Sequence, residues 1–144
     1  MRNISVRGVI VNQDKIFLVR MHENSYFCLP GGRVEEGEDL LTALNREIVE
    51  ELGQKPKIGN LLVVHQYKQD DRYTPPDFWF HITNGEDFLD INIKATTHGE
   101  AELAQWGFTN IDDVSVLPVE LKGLMKEFKE SNFKGNTKLL IIDQ

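Results

Sequence analysis

The sequence predicts an α/β chain folded as a helix-sheet-helix sandwich. Three observations lead there. Strand-like, β-branched runs stand on both sides of one strongly patterned helix, a second helix is signalled near the end, and no repeat, low-complexity tract or linker divides the 144 residues. A chain of this length suits one domain with its own core, read here as residues 1–144.

Taken in order, residues 5–11 and 15–21 are β-branched runs separated by Asn12-Gln13-Asp14, a hairpin pattern. Residues 22–25 are a polar loop. The apolar run 26–29 leads into Pro30-Gly31-Gly32, where two glycines permit backbone conformations and close approaches that other residues forbid. The loop continues through Glu36-Gly37-Glu38. A helix follows over 39–52: Asp39 places negative charge at its start, where the dipole favours it, Leu41, Leu44, Ile48 and Leu52 form a buried stripe, and Gly53 ends it.

Beyond the helix, 61–67 reads as a strand, 70–77 with Pro75-Pro76 as a loop, and 78–83 as a strand closed by the Asn84-Gly85 turn. Residues 87–99 alternate weakly around Ile91 and Ile93 and stay ambiguous. Residues 104–108, centred on Trp106, form a short strand, and 111–114 a helical turn. Pro118 suits the first turn of a helix running to 129. The apolar run 138–142 is an edge strand, either packed on its own sheet or paired across a homodimer.

Composition narrows the function classes. Hydrophobic content is 40% and charged content 27%, as in ordinary globular proteins, and no apolar run approaches the roughly 18 residues of a membrane span. The N-terminal stretch MRNISVRGVIV lacks a signal-peptide layout. Cys28 is the only cysteine, so no intrachain disulfide forms. That fits a reducing, cytoplasmic setting, with Cys28 either a partly buried bystander or a reactive thiol. The net charge of −7 gives no long-range attraction for nucleic acid and repels a polyanionic small substrate. A pyrophosphate substrate would therefore need divalent cations where it meets the protein.

The helix carries the chemistry. Glu47, Glu50 and Glu51 lie three and four residues apart and share an arc of about 100°. The helix has one basic residue, Arg46. Pairing it with Glu50 at spacing four leaves Glu47 and Glu51 uncompensated. A solvated acidic face is the plain reading. A Mg²⁺-type site is the functional one, because hard divalent cations take oxygen ligands together with substrate phosphates.

The residues around the acids decide between these. Gly32, Glu38, Arg46, Glu47, Ile48, Glu50, Glu51 and Gly53 meet eight of nine specified positions of the pattern Gly, five residues, Glu, seven residues, Arg-Glu-(aliphatic)-any-Glu-Glu-any-Gly-(aliphatic). The segment resembles the Nudix box, with Gln54 departing at the last, aliphatic position. The resemblance implies a mixed sheet between helices, with the box as loop-helix-loop. It also implies hydrolysis of a pyrophosphate bond in a nucleoside diphosphate linked to another moiety, dependent on Mg²⁺ or Mn²⁺. A nucleotide-sensing, non-hydrolytic regulatory module of the same fold is the alternative. The substrate class implied is a small nucleotide or nucleotide-sugar.

The same resemblance assigns roles. Glu47 and Glu51 ligate metal, Glu50 does so directly or through water, and Gly31 offers its carbonyl. Arg46 orients a glutamate, foremost Glu47. Gly32 and Glu38 hold the loop against the helix, a plain helix-start acid being the other reading of Glu38. A downstream acid serves as metal ligand or general base: Glu100 first, Glu102 second, with loop surface the alternative for both. The catalytic set so implied is Arg46, Glu47, Glu50 and Glu100. Tyr26 and Tyr73, aromatics in loops, are candidates to stack a base, and Arg20 and Arg33 to meet phosphates. His65 and His81 lie in strands and read as satisfied structural residues. Neither of the family's substrate markers beyond the box is met, so the resemblance selects no particular nucleotide.

Overall fold

The computed structural model describes residues 3–96 and 98–143. Met1, Arg2, Thr97 and Gln144 lie outside the described residues, so the start of the N-terminal reading and one position of the ambiguous 87–99 stretch stay with the sequence.

Among the described residues eight strands form one mixed sheet: β1 (Ser5–Asn12), β2 (Lys15–Met21), β3 (Gly31–Arg33), β4 (Ile58–Gln69), β5 (Arg72–Tyr73), β6 (Asp77–Ile82), β7 (Leu103–Thr109) and β8 (Lys138–Asp143). The spatial order is β5-β4-β6-β1-β2-β7, with β3 on β1 and β8 on β4. Among the described residues three α-helices complete the fold, α1 (Leu40–Leu52), the short α2 (Gly99–Glu102) and α3 (Leu121–Glu130), with short 3-10 turns at Gly85–Phe88, Ile93–Ala95 and Ile111–Asp113. The helix-sheet-helix sandwich expected from the pattern of elements is the one found.

Alternation along the strands explains why two helical layers are needed. Successive strand side chains point to opposite faces. Val6 and Ile10 of β1, Phe17 and Val19 of β2, and Phe80 and Ile82 of β6 pack with Ala43, Leu44, Ile48 and Leu52 of α1. The intervening Val9, Ile16, Leu18 and Trp79 pack with Leu121, Leu124, Met125 and Phe128 of α3. The central strands β1, β2 and β6 bury apolar side chains on both faces because both faces are covered.

Some elements differ from expectation. The anticipated β1–β2 hairpin is only two residue pairs long, Val11↔Ile16 and Asn12↔Lys15. Past it the strands part. β1 joins β6 in parallel and β3 antiparallel, while β2 joins β7. The glycine loop therefore begins as a strand: Gly31–Arg33 pairs with Ser5–Arg7. Gly31, at φ +148°, sits so close to β1 that any Cβ would overlap the carbonyl oxygen of Val6. Only glycine permits this approach. Asp39 caps α1 from outside its first turn, accepting the Thr42 N–H at 2.8 Å, and Gly53 ends the helix at φ 76°. The terminal strand pairs in parallel with β4 of its own chain, and Leu139 and Ile141 stay exposed.

Ile48 sits at the centre of the α1 face and is fully buried. Ile48→Ala is expected to cost about 2–5 kcal/mol. A urea titration should show a lower midpoint at unchanged slope.

Candidate active site

Arg46 is the hub of the box. Its Nε donates to Glu38 Oε2 at 2.8 Å and its Nη2 to Glu38 Oε1 at 2.8 Å, a two-point clamp across eight residues. Nη1 donates to Glu47 Oε1 at 2.9 Å and to Glu50 Oε2 at 3.2 Å, and Nη2 to the Arg33 carbonyl at 3.0 Å. Glu38 is pulled down to about 2, first by the Arg46 hydrogen bonds and then by the Glu35 N–H. Arg46 is driven above its ordinary value, first by its hydrogen bonds to Glu38. Helical spacing pairs Arg46 with Glu50, and the family resemblance has it orient Glu47; the guanidinium donates to both. It also reaches back to Glu38, because the loop folds over the first turns of α1.

The three box acids occupy different environments. Glu50 is half-exposed and also meets His98, whose Nδ1 stands 3.1 Å from Glu50 Oε2. Glu47 is mostly buried, and burial raises its carboxyl despite the bonds from Arg46. Gly32 lies directly against that carboxylate: a Cβ there would overlap the Glu47 oxygens. Glu51 is 1% exposed, and its Oε1 has no hydrogen-bond partner. Burial pushes its carboxyl up to about 8, offset in part by Arg7 and reinforced by the charges of Glu102 and Glu47. The Gly31 amide also faces Glu51.

The outlying candidates fall out differently. Glu102 acts electrostatically on both Glu47 and Glu51. Glu100 is exposed on α2, with its carbonyl 3.3 Å from His22 Nε2. Arg20 is tied to Gln105 Oε1 at 2.9 Å and to the Asn24 carbonyl at 2.8 Å. Arg33 is exposed, and its backbone rather than its side chain joins the hub. Tyr26 lines a cavity of about 370 Å³, whereas exposed Tyr73, on β5, does not.

That cavity holds Arg7, Tyr67 and Asp77, which sequence reasoning missed, together with Trp79 and with His65, which it read as a satisfied structural residue. Leu29 and Trp79 place it on the α3 face of the sheet. Its volume falls within the roughly 300–1,000 Å³ of small-molecule sites. Arg7 connects it to the box, since the same guanidinium lines the cavity and acts on Glu51 and Glu47. The available signal was a lone arginine inside the apolar run SVRGVIV. Cys28 also lines the cavity, and burial raises its thiol, which makes it a poor nucleophile.

The donor chemistry fits a hard divalent cation. A buried carboxylate with an orphaned oxygen is costly unless positive charge arrives. Glu51 is that group, with Glu47 beside it against Gly32. Among the described residues no three His, Cys, Asp or Glu side chains already converge as a complete cage. Mg²⁺ needs none, since it commonly uses one or two carboxylates and takes other ligands from water and phosphate. No helix among the described residues is long and apolar enough to cross a membrane.

Comparison with known proteins gives a consistent picture. The NUDIX domain family matches residues 1–131. An RNA pyrophosphohydrolase of Wolbachia pipientis subsp. Culex pipiens is 32% identical over 146 residues, covering 86% of this chain and 86% of that one. An ADP-ribose pyrophosphatase of Methanocaldococcus jannaschii is 43% identical over 72 residues, but the match spans only 48% of this chain and 41% of that protein. Among solved structures, a UDP-X diphosphatase superposes with a TM-score of 0.72 at 24% identity, over 99% of this chain and 68% of that one. At that identity the likeness speaks for the fold alone.

The environment of Glu51 has a pH consequence in metal-free protein. Its ordinary value is 4.5 and its folded value about 8. Between the two, the native state keeps a proton that the unfolded state has released, so stability falls as pH rises. Urea titrations at pH 5 and pH 8 should show this loss in the parent and a much smaller one in Glu51→Gln.

Proposed function

We propose, because the chain belongs to the Nudix hydrolase family, that it hydrolyses a pyrophosphate bond in a nucleoside diphosphate linked to another moiety, with Mg²⁺ or Mn²⁺. Residues 1–144 work as one Nudix domain in this reading. The observation that carries it is the buried Glu51 carboxylate, one oxygen of which has no hydrogen-bond partner, on the same helix as the Arg46-clamped Glu47 and Glu50. An acidic face without metal chemistry would leave its carboxylates in water rather than bury one at 1% exposure.

Water attacks phosphorus, the P–O bond to the bridging oxygen breaks, and nucleotide or phosphate departs. Such chemistry depends on positioning and charge stabilisation more than on covalent catalysis. The residues that would hold the cation are Glu47, Glu51 and the Gly31 carbonyl, with Glu50 alongside. When bound, the cation supplies charge for the phosphates and acidifies water.

The chain's own side chains do the remaining work. Arg46 orients Glu47 and Glu50 and fastens the loop through Glu38. Gly32 leaves room for the Glu47 carboxylate. Arg7 lines the cavity and interacts electrostatically with Glu51 and Glu47, so it offers positive charge to a substrate that reaches from one to the other. The downstream acid is assigned to Glu102 ahead of Glu100, since its charge acts on Glu47 and Glu51. The substrate is a small nucleotide, one end in the cavity and its phosphates at the box.

The deciding assay measures phosphate or nucleotide release from a panel of nucleotide pyrophosphates. Turnover should require Mg²⁺ or Mn²⁺, vanish with chelator and return on metal addition. Tight nucleotide binding without turnover of any member would instead indicate the sensor. Glu51→Gln should lower turnover at least ~10²-fold, about 2.7 kcal/mol of lost stabilisation, while remaining folded. Glu102→Gln should lose more activity than Glu100→Gln in the same assay, and the reverse order would return the role to Glu100.

A further inference from the structure

The α3 face of the sheet carries a row of polar side chains crossing three strands. Arg7 on β1, Asp77 on β6 and His65 on β4 all line the 370 Å³ cavity. Strand register sets them side by side, with Arg7 opposite Trp79 and His65 opposite Asp77. Asp77 is the centre of the row. Its Oδ2 accepts Trp79 Nε1–H at 3.0 Å and faces His65 Nδ1 at 3.7 Å, while Arg7 Nε lies 3.5 Å from Oδ1.

His65 is 6% exposed, and its other nitrogen, Nε2, has no hydrogen-bond partner. A strand histidine buried only for packing would be expected to satisfy both nitrogens, since a buried polar atom without a partner loses its hydration and gains nothing in return. The Asp77 carboxylate facing Nδ1 favours the ring proton there, although 3.7 Å is too long for a full hydrogen bond. That leaves Nε2 with its lone pair, an acceptor without a donor. Asp77 Oδ1 is a second buried acceptor without a hydrogen-bond partner on the same cavity. The ring of His65 is held in place by stacking on Tyr67, at 5.9 Å and 27°, and by Trp79 at 5.6 Å. Tyr26 also lines the cavity and adds a flat surface for a ring.

We propose that His65, oriented by Asp77, determines base specificity by accepting a hydrogen bond at Nε2 from an exocyclic amino group of the substrate's nucleobase. This rests on the pyrophosphohydrolase reading above, and it adds to it the chemistry by which the base is chosen. A pocket that presents buried acceptors rejects a ring lacking the matching donor, because the acceptors then stay unpaired. Asp77 acts through His65 and is a positioning residue.

The test compares nucleoside triphosphates that differ by one amino group, with Mg²⁺ present: guanosine against inosine, and adenosine against purine riboside. For the parent protein, loss of the amine from the better purine should lower kcat/KM at least ~10-fold. His65→Phe, which keeps a flat ring, should shrink that ratio to within ~3-fold. His65→Gln, which retains an acceptor, should preserve most of it. A merely structural role would change stability and leave the ratio alone.

Equal turnover of the paired substrates by the parent, or an undiminished ratio in His65→Phe, would overturn the assignment of His65 while leaving the hydrolase reading intact. A parent preference for the amine-lacking analogue would do the same. If no substrate is turned over, the hydrolase reading fails by itself. Calorimetry with the matching nucleoside monophosphates then reports on His65 directly, an amine-dependent affinity lost in His65→Phe supporting it and indifference to the amine opposing it.

Discussion

Arg46 answers a charge repulsion that would otherwise open the site. Four carboxylates, those of Glu35, Glu38, Glu47 and Glu50, lie within 4 Å of its guanidinium, and the Arg33 backbone adds a carbonyl oxygen. A planar fork with five donors can serve this many acceptors at fixed angles, which a lysine ammonium cannot. The clamp onto Glu38 closes the loop over the helix, and that closure brings Gly32 against Glu47. This contact, together with the pairing of β3 on β1, places the loop residues of the box against α1.

Burial divides the acids by role. Glu38 is held low by Arg46, whereas Glu51 is pushed high by exclusion from water. The two differ because Glu38 receives a two-point hydrogen bond and Glu51 keeps one oxygen with no partner at all. Such a carboxylate lowers the stability of metal-free protein near neutral pH and becomes an asset only when positive charge meets it. Strain of this kind is common at functional sites and is tolerated where the surrounding core is well packed. Here α1 carries Leu44, Ile48 and Leu52 fully buried on the adjoining face.

Much of this architecture was legible in the sequence. Leu44, Ile48 and Leu52 of the α1 stripe, the two glycines and the Glu–Arg–Glu spacing depend on local period and on residue type, both visible in one dimension; Leu41, expected in the same stripe, lies in the first turn and is 51% exposed, and Ala43 packs into the core there. The β1–β2 hairpin was legible only at its turn, because strand pairing beyond two residues is chosen by neighbours distant in sequence. β3 was read as a loop for the same reason: three residues with two glycines carry no strand propensity, and only the proximity of β1 makes them a strand. Tyr73 and Tyr26 looked equivalent as loop aromatics, yet one lines the cavity and the other faces solvent, a difference set by which way the chain folds back.

The sequence by itself determined the helix-sheet-helix class, the box and its carboxylates, since periodicity and fixed spacing are properties of the chain as written. Only the tertiary structure decided that Glu51 is sealed from water, that the charge of Glu102 acts on Glu47 and Glu51, and that Arg7, Asp77 and His65 share one cavity. Those three come from β1, β6 and β4, and nothing in their sequence separation announces the register that sets them side by side. Burial and cross-strand adjacency are long-range quantities, fixed by how the sheet assembles around its two apolar faces.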